Sequence, residues 1–361
     1  MIGAGRIFTQ YFTALFFKRV FTVSLGLSGV LSIFDLLANA GEITQNSSQI
    51  FIPLSQYILL RYPEILSVVL PLACLLSALS VLSQKVTNQE IIAVRSVGVS
   101  IYQIISSFLI AGIIIGVLHF LLLNFVMPNS SYKLYLWSQN DYSGTPPESR
   151  ESGQIPNWIA TGDTIIKLEK ASANGKIIEG VSIFNRDERG RLKNYLTAKR
   201  ATFKNNAWHL EKIHYPGSLS TGITTEKTIL NLPLKPSYFA KSIDYKNALA
   251  VHDLEKLINK DIAFEKPGYV YKLWLYQKYA ISFSSIVMIL LAAPIGLQLA
   301  RSQKMMRSQF IIILSGFAFF ISDRLITSFG EAGYLPPLLA VSAIPVFFIL
   351  ISFWWLLYKE G

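Results

Sequence analysis

The sequence predicts a membrane α-helical protein with six transmembrane helices in two sets of three. An all-β domain, a sandwich or a jelly-roll-like fold, is inserted between the sets. Of the 361 residues, 52% are hydrophobic and only 15% charged, against roughly 25% charged in soluble domains; the mean hydropathy is +0.41. Six apolar runs, near 20–38, 63–83, 101–126, 274–299, 309–327 and 335–357, reach the roughly 20 residues that a helix needs to cross a bilayer. Between the third and fourth runs the chain turns polar, with short alternating segments split by turn residues. The expected divisions are a transmembrane half over 1–128, a β-domain over 129–247, a connecting helix over 248–272 and a second transmembrane half over 273–361.

The first run follows Lys18 and Arg19 and ends at Ala38-Asn39-Ala40, which imitates a signal peptide and its cleavage site. Phe8, Tyr11, Phe12, Leu15 and Phe16 before it read as an interfacial helix, too long and too apolar for an ordinary leader, so an uncut first span is the better reading. Arg6, Lys18, Arg19, Lys85, Arg95, Arg301, Lys304, Arg307 and Lys359 fall on one side if the spans alternate. Basic residues mark the cytoplasmic side. Both termini are then inside and the β-domain outside. Pro71, Pro294 and Pro345 should kink their helices, and Gly112-x-x-x-Gly116 permits a close helix contact.

Between the second and third runs lies Thr87 to Gly98, a short inner helix carrying one acidic side chain, Glu90. At about 100° per residue, Glu90 shares a face with Ala93, Val94 and Val97. Gly98 can end the helix in a left-handed turn. A lone carboxylate among small apolar groups suits a docking surface. Thr87-x-x-Glu90 also fits a capping box, in which the glutamate closes its own helix start; the two roles are compatible.

In the insertion, strands are expected near 158–160, 164–168, 177–184, 192–203, 208–213 and 228–234, with turns such as Thr161-Gly162-Asp163 and Asp187-Glu188-Arg189-Gly190 between them. Ile166 and Leu168, Val181 and Ile183, and Trp208 and Leu210 alternate with polar neighbours and predict one apolar face. Gly144 to Pro156 reads as a loop leading into the domain, and Val251 to Lys260 as an amphipathic helix leading out.

The net charge of +11 comes without a basic run or basic helix, so it points to membrane topology and acidic lipid rather than nucleic acid. The single cysteine, Cys74, excludes an intrachain disulfide. No phosphate-binding Gly-x-x-x-x-Gly-Lys-[Ser/Thr], zinc-binding His-Glu-x-x-His or Gly-x-Ser-x-Gly elbow occurs. His209 and His214, five residues apart in one strand, should lie on opposite faces and so share no metal. Asp35, Asp323 and Arg324 sit near the outer ends of spans, where charges are costly and suggest a function, unless they simply reach water.

The order of elements, with Leu27-Ser28-Gly29, Phe34-Asp35 and Ala40-Gly41 in the first span, Gln89 to Gly98 in the inner helix and Trp208-His209-Leu210 in the β-domain, resembles the lipopolysaccharide-export permeases. Asp323, Gly333-Tyr334-Leu335-Pro336-Pro337 and Ser352 to Leu357 extend the likeness to the end of the chain. Of the two paired types, it looks most like the LptG type. The resemblance implies a bacterial inner-membrane subunit that pairs with a homologous LptF-like permease. It also implies a cytoplasmic LptB-like ATPase dimer, which holds the ATP and magnesium, while this chain carries no cofactor. Lipopolysaccharide would pass through a groove in the periplasmic β-jelly roll to LptC- and LptA-like bridge proteins. Glu90, Val94, Val97 and Gly98 match the family's coupling helix. Basic residues that hold lipid phosphates in the family correspond to uncharged Ser32, Ala38 and Asn39 here. The competing reading is a membrane-anchored periplasmic ligand-binding or sensory module, against which the inner loops count, being too short to fold as a signalling domain.

Overall fold

The computed structural model describes residues 2–45, 50–96, 98, 100–146, 158–172, 176–187, 189–204, 207–214, 225–230, 236, 246–259, 262–263, 266–296 and 305–360. The helices are α1 (Ile2–Gln45), α2 (Phe51–Thr87), α3 (Glu90–Ser96), α4 (Ile101–Leu121), α5 (Met127–Gln139), α6 (Val251–Asn259), α7 (Gly268–Gly296), α8 (Met305–Glu331) and α9 (Pro337–Glu360). Six stretches among them are long and apolar enough to cross a membrane. The chain divides into two units. One contains residues 1–41, 61–127 and 273–361, and the other residues 42–60 and 128–272.

In the first unit the helices run well past the apolar stretches that predict them. No proline or glycine cap stops α1 before Gln45, so Ala38-Asn39-Ala40 lies inside it. The residues ahead of the first apolar run do not form a separate interfacial helix. They continue α1, and Phe12 and Phe16 are buried, each against the ring of Phe108 in α4. Phenylalanines four apart lie on one helix face, and here that face is core. Pro63 and Pro71 lie inside α2, Pro294 inside α7 and Pro345 inside α9. One π-helical turn, Leu122–Val126, joins α4 to α5.

Glycine permits a close contact between α4 and α7. A Cβ on Gly116 of α4 would stand 2.9 Å from the backbone oxygen of Ser282 in α7, and one on Gly112 would stand 2.6 Å from the Ile289 side-chain tip. A side-chain tip can move, whereas a backbone carbonyl cannot without moving its helix.

In the second unit, strands β1 (Trp158–Thr161), β2 (Thr164–Ala171), β3 (Ile177–Arg186), β4 (Leu192–Lys204), β5 (Ala207–His214), β6 (Thr225–Leu230) and β7 (Ile262–Ala263) form one antiparallel sheet. Its order is β6-β5-β4-β3-β2-β1-β7, a sequential meander with β7 closing the edge beside β1. The last large strand begins three residues before its expected start, and Asn231 to Leu234 lie outside the described residues.

The β3–β4 ladder shifts register between Asn185 and Arg186, and a second irregularity lies at the same level in several strands. Alternation would make every second residue buried, yet Ile178 and Val181, Ala198 and Ala201, and Leu210 and Ile213 are all buried at a spacing of three. The ladder keeps its register on both sides of this row, pairing Val181 with Ala198 and Glu179 with Arg200. Gly180 (φ 65°) and Lys212 (φ 55°) are left-handed within it. Gly180 suits this backbone, and a Cβ there would oblige the Glu169 side chain to move.

The row also corrects the histidine expectation. The left-handed Lys212 resets the alternation, so His209 and His214 both point away from buried Trp208, Leu210 and Ile213. No group of three or more metal-ligating residues occurs among the described residues.

Gly116→Val should force α4 and α7 apart and cost roughly 1–3 kcal/mol as overpacking. This should read as lower thermal stability of the detergent-purified protein. Gly29→Ala, with no atom within 4 Å of the added carbon, should leave the melting temperature unchanged.

Candidate functional site

The candidate site is the connection between α2 and α4. The chain leaves α2 at Thr87 and reverses through Gln89, whose φ of 58° is left-handed, a backbone that costs a residue with a β-carbon about 1 kcal/mol. The amide of Asn88 donates to the Gln84 carbonyl (3.0 Å), and that of Gln89 donates to the Val86 carbonyl (3.0 Å). Helix α3 then runs seven residues. Gly98, at φ 91°, ends it, its amide donating to the Arg95 carbonyl at 2.9 Å.

The capping box expected at Thr87 does not form. Thr87 is the last residue of α2, and its hydroxyl donates backward to the Ser83 carbonyl at 2.9 Å. The capping box that does form opens α4. There the Gln103 amide donates to Ser100 Oγ (3.3 Å) and the Ser100 amide to Gln103 Oε1 (3.1 Å). The left-handed Gln89 shifts the start of α3 to Glu90 itself, out of reach of a box that needs helix from residue 88.

Glu90 is therefore free of a capping role, and its carboxylate turns to Lys85. The ammonium donates to Oε1 at 2.9 Å and to Oε2 at 2.6 Å, and also to the Tyr11 hydroxyl of α1 at 2.6 Å. The Asn88 amide reaches Oε1 at 3.5 Å. The Lys85 hydrogen bonds hold the Glu90 carboxyl below the usual carboxylate range. Lys85 is buried, while the Glu90 side chain is 38% exposed. The carboxylate ringed by small apolar groups is thus a carboxylate in an ion pair with one face open.

The other residues of the predicted docking face separate. Ile91 and Val94 of α3 are buried in the helical core, whereas Ile92, Ala93, Arg95 and Ser96 are exposed. Val94 therefore supports α3 from beneath instead of standing on its open face. Gly98 is exposed, and Val97 lies outside the described residues.

Asp35 of α1 meets Arg61 of α2, with both carboxylate oxygens 3.3 Å from the guanidinium nitrogens. Arg61 also bonds Glu64 at 2.7 Å. One cation between two carboxylates explains how Asp35 is held in an apolar helix. Asp323 is half-buried and Arg324 exposed on α8. Among the positions matching the family's basic contacts, Asn39 donates to the Asp35 carbonyl at 2.7 Å. Sequence reasoning missed Arg61 and the pairing role of Lys85. The signal available was charge: Arg61 is a lone cation facing Asp35 across the first connection, and Lys85 lies five residues before Glu90.

The apolar face of the sheet is where alternation put it. Ile166 pairs across the ladder with Ile183, and Leu168 with Val181, while Leu210 pairs with Ala201 and Trp208 with Phe203. All six predicted residues are 2% exposed or less, so in this conformation the face is closed and not an open groove.

Six apolar helices, an inserted antiparallel sheet and a short acid-bearing helix between the second and third spans are thus in place. The sequence matches the family model of the lipopolysaccharide export system permease LptF/LptG over residues 10–358. The chain belongs to the LptF/LptG permease family. It is a multi-pass membrane protein and the transporter subunit of a lipopolysaccharide export system, a family of membrane subunits rather than catalytic enzymes. No curated protein matches the chain.

Ser100→Ala should loosen the start of α4 by about 1 kcal/mol, seen as faster hydrogen exchange at the amides of 101–104. Thr87→Ala should leave exchange across α3 unchanged. Equal effects from the two would mean that the capping box sits at Thr87 after all.

Proposed function

We propose that this permease is the transmembrane half of an ATP-driven exporter that draws lipopolysaccharide from the inner membrane. A homologous second permease completes the lipid cavity, and a cytoplasmic ATPase dimer docks on α3. The observation that carries this reading is Glu90, a half-exposed carboxylate on a seven-residue helix between two spans in a family whose members export lipid. The placement of basic residues supports a cytoplasmic side for α3 and both termini and a periplasmic side for the sheet. A basic residue of the ATPase is the partner for Glu90. A charge-assisted contact at a half-exposed position gives register and specificity more than raw affinity.

Nucleotide-driven closure of the ATPase then moves α3 and, through it, the ends of α2 and α4. Asp35, Asp323 and Arg324 lie along the path of the lipid, with Arg61 setting the charge presented by Asp35. Released lipid enters the β-domain between the apolar residues of β2, β3 and β5 and passes on to the periplasmic bridge proteins. Because Leu168 and Ile183 are buried, the domain has to open to admit an acyl chain, and opening is the step that ATP-driven delivery would drive.

Glu90→Ala should lower recovery of the ATPase with the permease about tenfold, as loss of one partner of a charge-assisted contact does, while membrane insertion stays intact. An ATPase variant with the reciprocal charge should restore it in Glu90→Lys. Unchanged recovery and unchanged export in Glu90→Ala would remove Glu90 from the docking surface. A photo-crosslinker at Leu168 or Ile183 should capture lipopolysaccharide only when ATP is hydrolysed. Labelling at neither position would place the lipid path elsewhere.

A further inference from the structure

We propose that Lys85 is the positioning residue of the coupling segment: it holds Glu90 and Tyr11 on one ammonium, masks the carboxylate until the ATPase docks, and passes that event to α1. The inference rests on the reading of Glu90 as the docking carboxylate and adds what the carboxylate does when no ATPase is bound.

An ammonium has three N–H bonds and no acceptor. At Lys85 three acceptors meet it, namely Tyr11 Oη at 2.6 Å, Glu90 Oε1 at 2.9 Å and Glu90 Oε2 at 2.6 Å. The nitrogen also stands 5.0 Å from the centre of the Tyr11 ring, within the range of a cation–π contact. Every donor is used. Each group comes from a different helix, Tyr11 from α1, Lys85 from the last turn of α2 and Glu90 from the first residue of α3. One charge is the point at which the three helices meet.

A cation arriving at Glu90 therefore finds the carboxylate taken by another cation. A carboxylate has lone pairs for both partners, yet two like charges on it repel, so Lys85 has to surrender at least one oxygen. Tyr11 remains as its acceptor. Docking thereby shifts the ammonium toward α1, and release returns it. Two further contacts support transmission into α1. Arg19 Nε donates to Ser80 Oγ of α2 at 3.1 Å, and Thr13 Oγ1 donates to the Ser107 carbonyl of α4 at 3.1 Å. The buried seat of Lys85 would accept a methionine of similar length, so what the lysine adds there is charge.

The test uses the full permease pair with its ATPase in lipid nanodiscs at low salt, measuring ATPase affinity and lipopolysaccharide released per ATP hydrolysed. Lys85→Met should tighten ATPase binding about tenfold by removing the competing cation and should lower lipid released per ATP. A purely structural lysine would weaken binding when lost. Lys85→Arg should restore wild-type binding, and Tyr11→Phe should lower lipid released per ATP at least about threefold with a smaller change in binding than Lys85→Met gives. In a Glu90→Gln background the tightening by Lys85→Met should vanish. If Glu90→Gln weakens docking but Lys85→Met and a second variant, Lys85→Gln, leave it unchanged or weaker, the masking role is overturned and Glu90 keeps its docking role. If Glu90→Gln leaves docking unchanged, both ideas fall together.

Discussion

A helix in hydrocarbon has no water to satisfy its polar atoms, so each must find a partner within the protein or be absent. Many polar side chains of the helical unit meet that constraint, although Ser77 Oγ, Thr327 Oγ1 and His119 Nδ1 are buried without a hydrogen bond. Serines inside the spans turn back on their own helices, as Ser24 does to the Phe21 carbonyl at 3.0 Å, Ser282 to Lys278 at 2.8 Å and Ser352 to Phe348 at 2.7 Å. His119 of α4 is buried against Ser67 of α2, Nε2 to Oγ, at 3.1 Å. Lys278 of α7 is buried as well, and its ammonium donates to the Leu123 carbonyl at 3.1 Å. That carbonyl belongs to the π-helical turn, where the regular i−4 ladder is interrupted and a backbone acceptor can face a neighbouring helix. At the end of α2 the same rule governs Lys85, which uses all its donors on Tyr11 and Glu90. The ion pair is thus the local answer to a charge at the margin of an apolar bundle, and it lies at the start of α3.

Much of the architecture was legible because hydrophobic length and alternation report burial directly. The six spans, the antiparallel insertion and the apolar face through Ile166, Leu168, Val181, Ile183, Trp208 and Leu210 all follow from periodicity. Features that depend on a single left-handed residue were not legible. Gln89 is an ordinary helix former by composition, yet its φ of 58° displaces the start of α3 and removes Thr87 from any cap. Lys212 at 55° reverses the parity of β5 and brings His209 and His214 to one face. Only the tertiary context decides that a residue with a β-carbon will accept such a backbone. The span ends were hard to read for a different reason. Phe12 and Phe16 are apolar enough for an interface or a core, and only the ring of Phe108 from α4 decides between them.

The site was half legible. Glu90 stood out as a lone acid between two apolar runs, and its residue type and place are what a docking contact needs. Its partners were hidden by sequence distance. Tyr11 lies 74 residues from Lys85, and nothing in the local pattern around either residue points to the other. Arg61 and Asp35 are hidden in the same way, 26 residues apart across a helical connection. Val94 shows the reverse error. A helical wheel placed it beside Glu90, but burial is set by what a helix rests on, and α3 rests on Ile91 and Val94.

The central claim is that this chain turns ATP hydrolysis by a bound ATPase into movement of lipopolysaccharide out of the bilayer. The most direct measurement places the purified permease pair and ATPase in liposomes loaded with labelled lipopolysaccharide, with a soluble periplasmic bridge protein as acceptor on the side of the β-domain. The account predicts that label moves to the acceptor only when ATP is hydrolysed, and that transfer stops when ATP is replaced by an analogue that cannot be hydrolysed. Transfer at the same rate without hydrolysis, or hydrolysis with all label retained in the liposome, would contradict it.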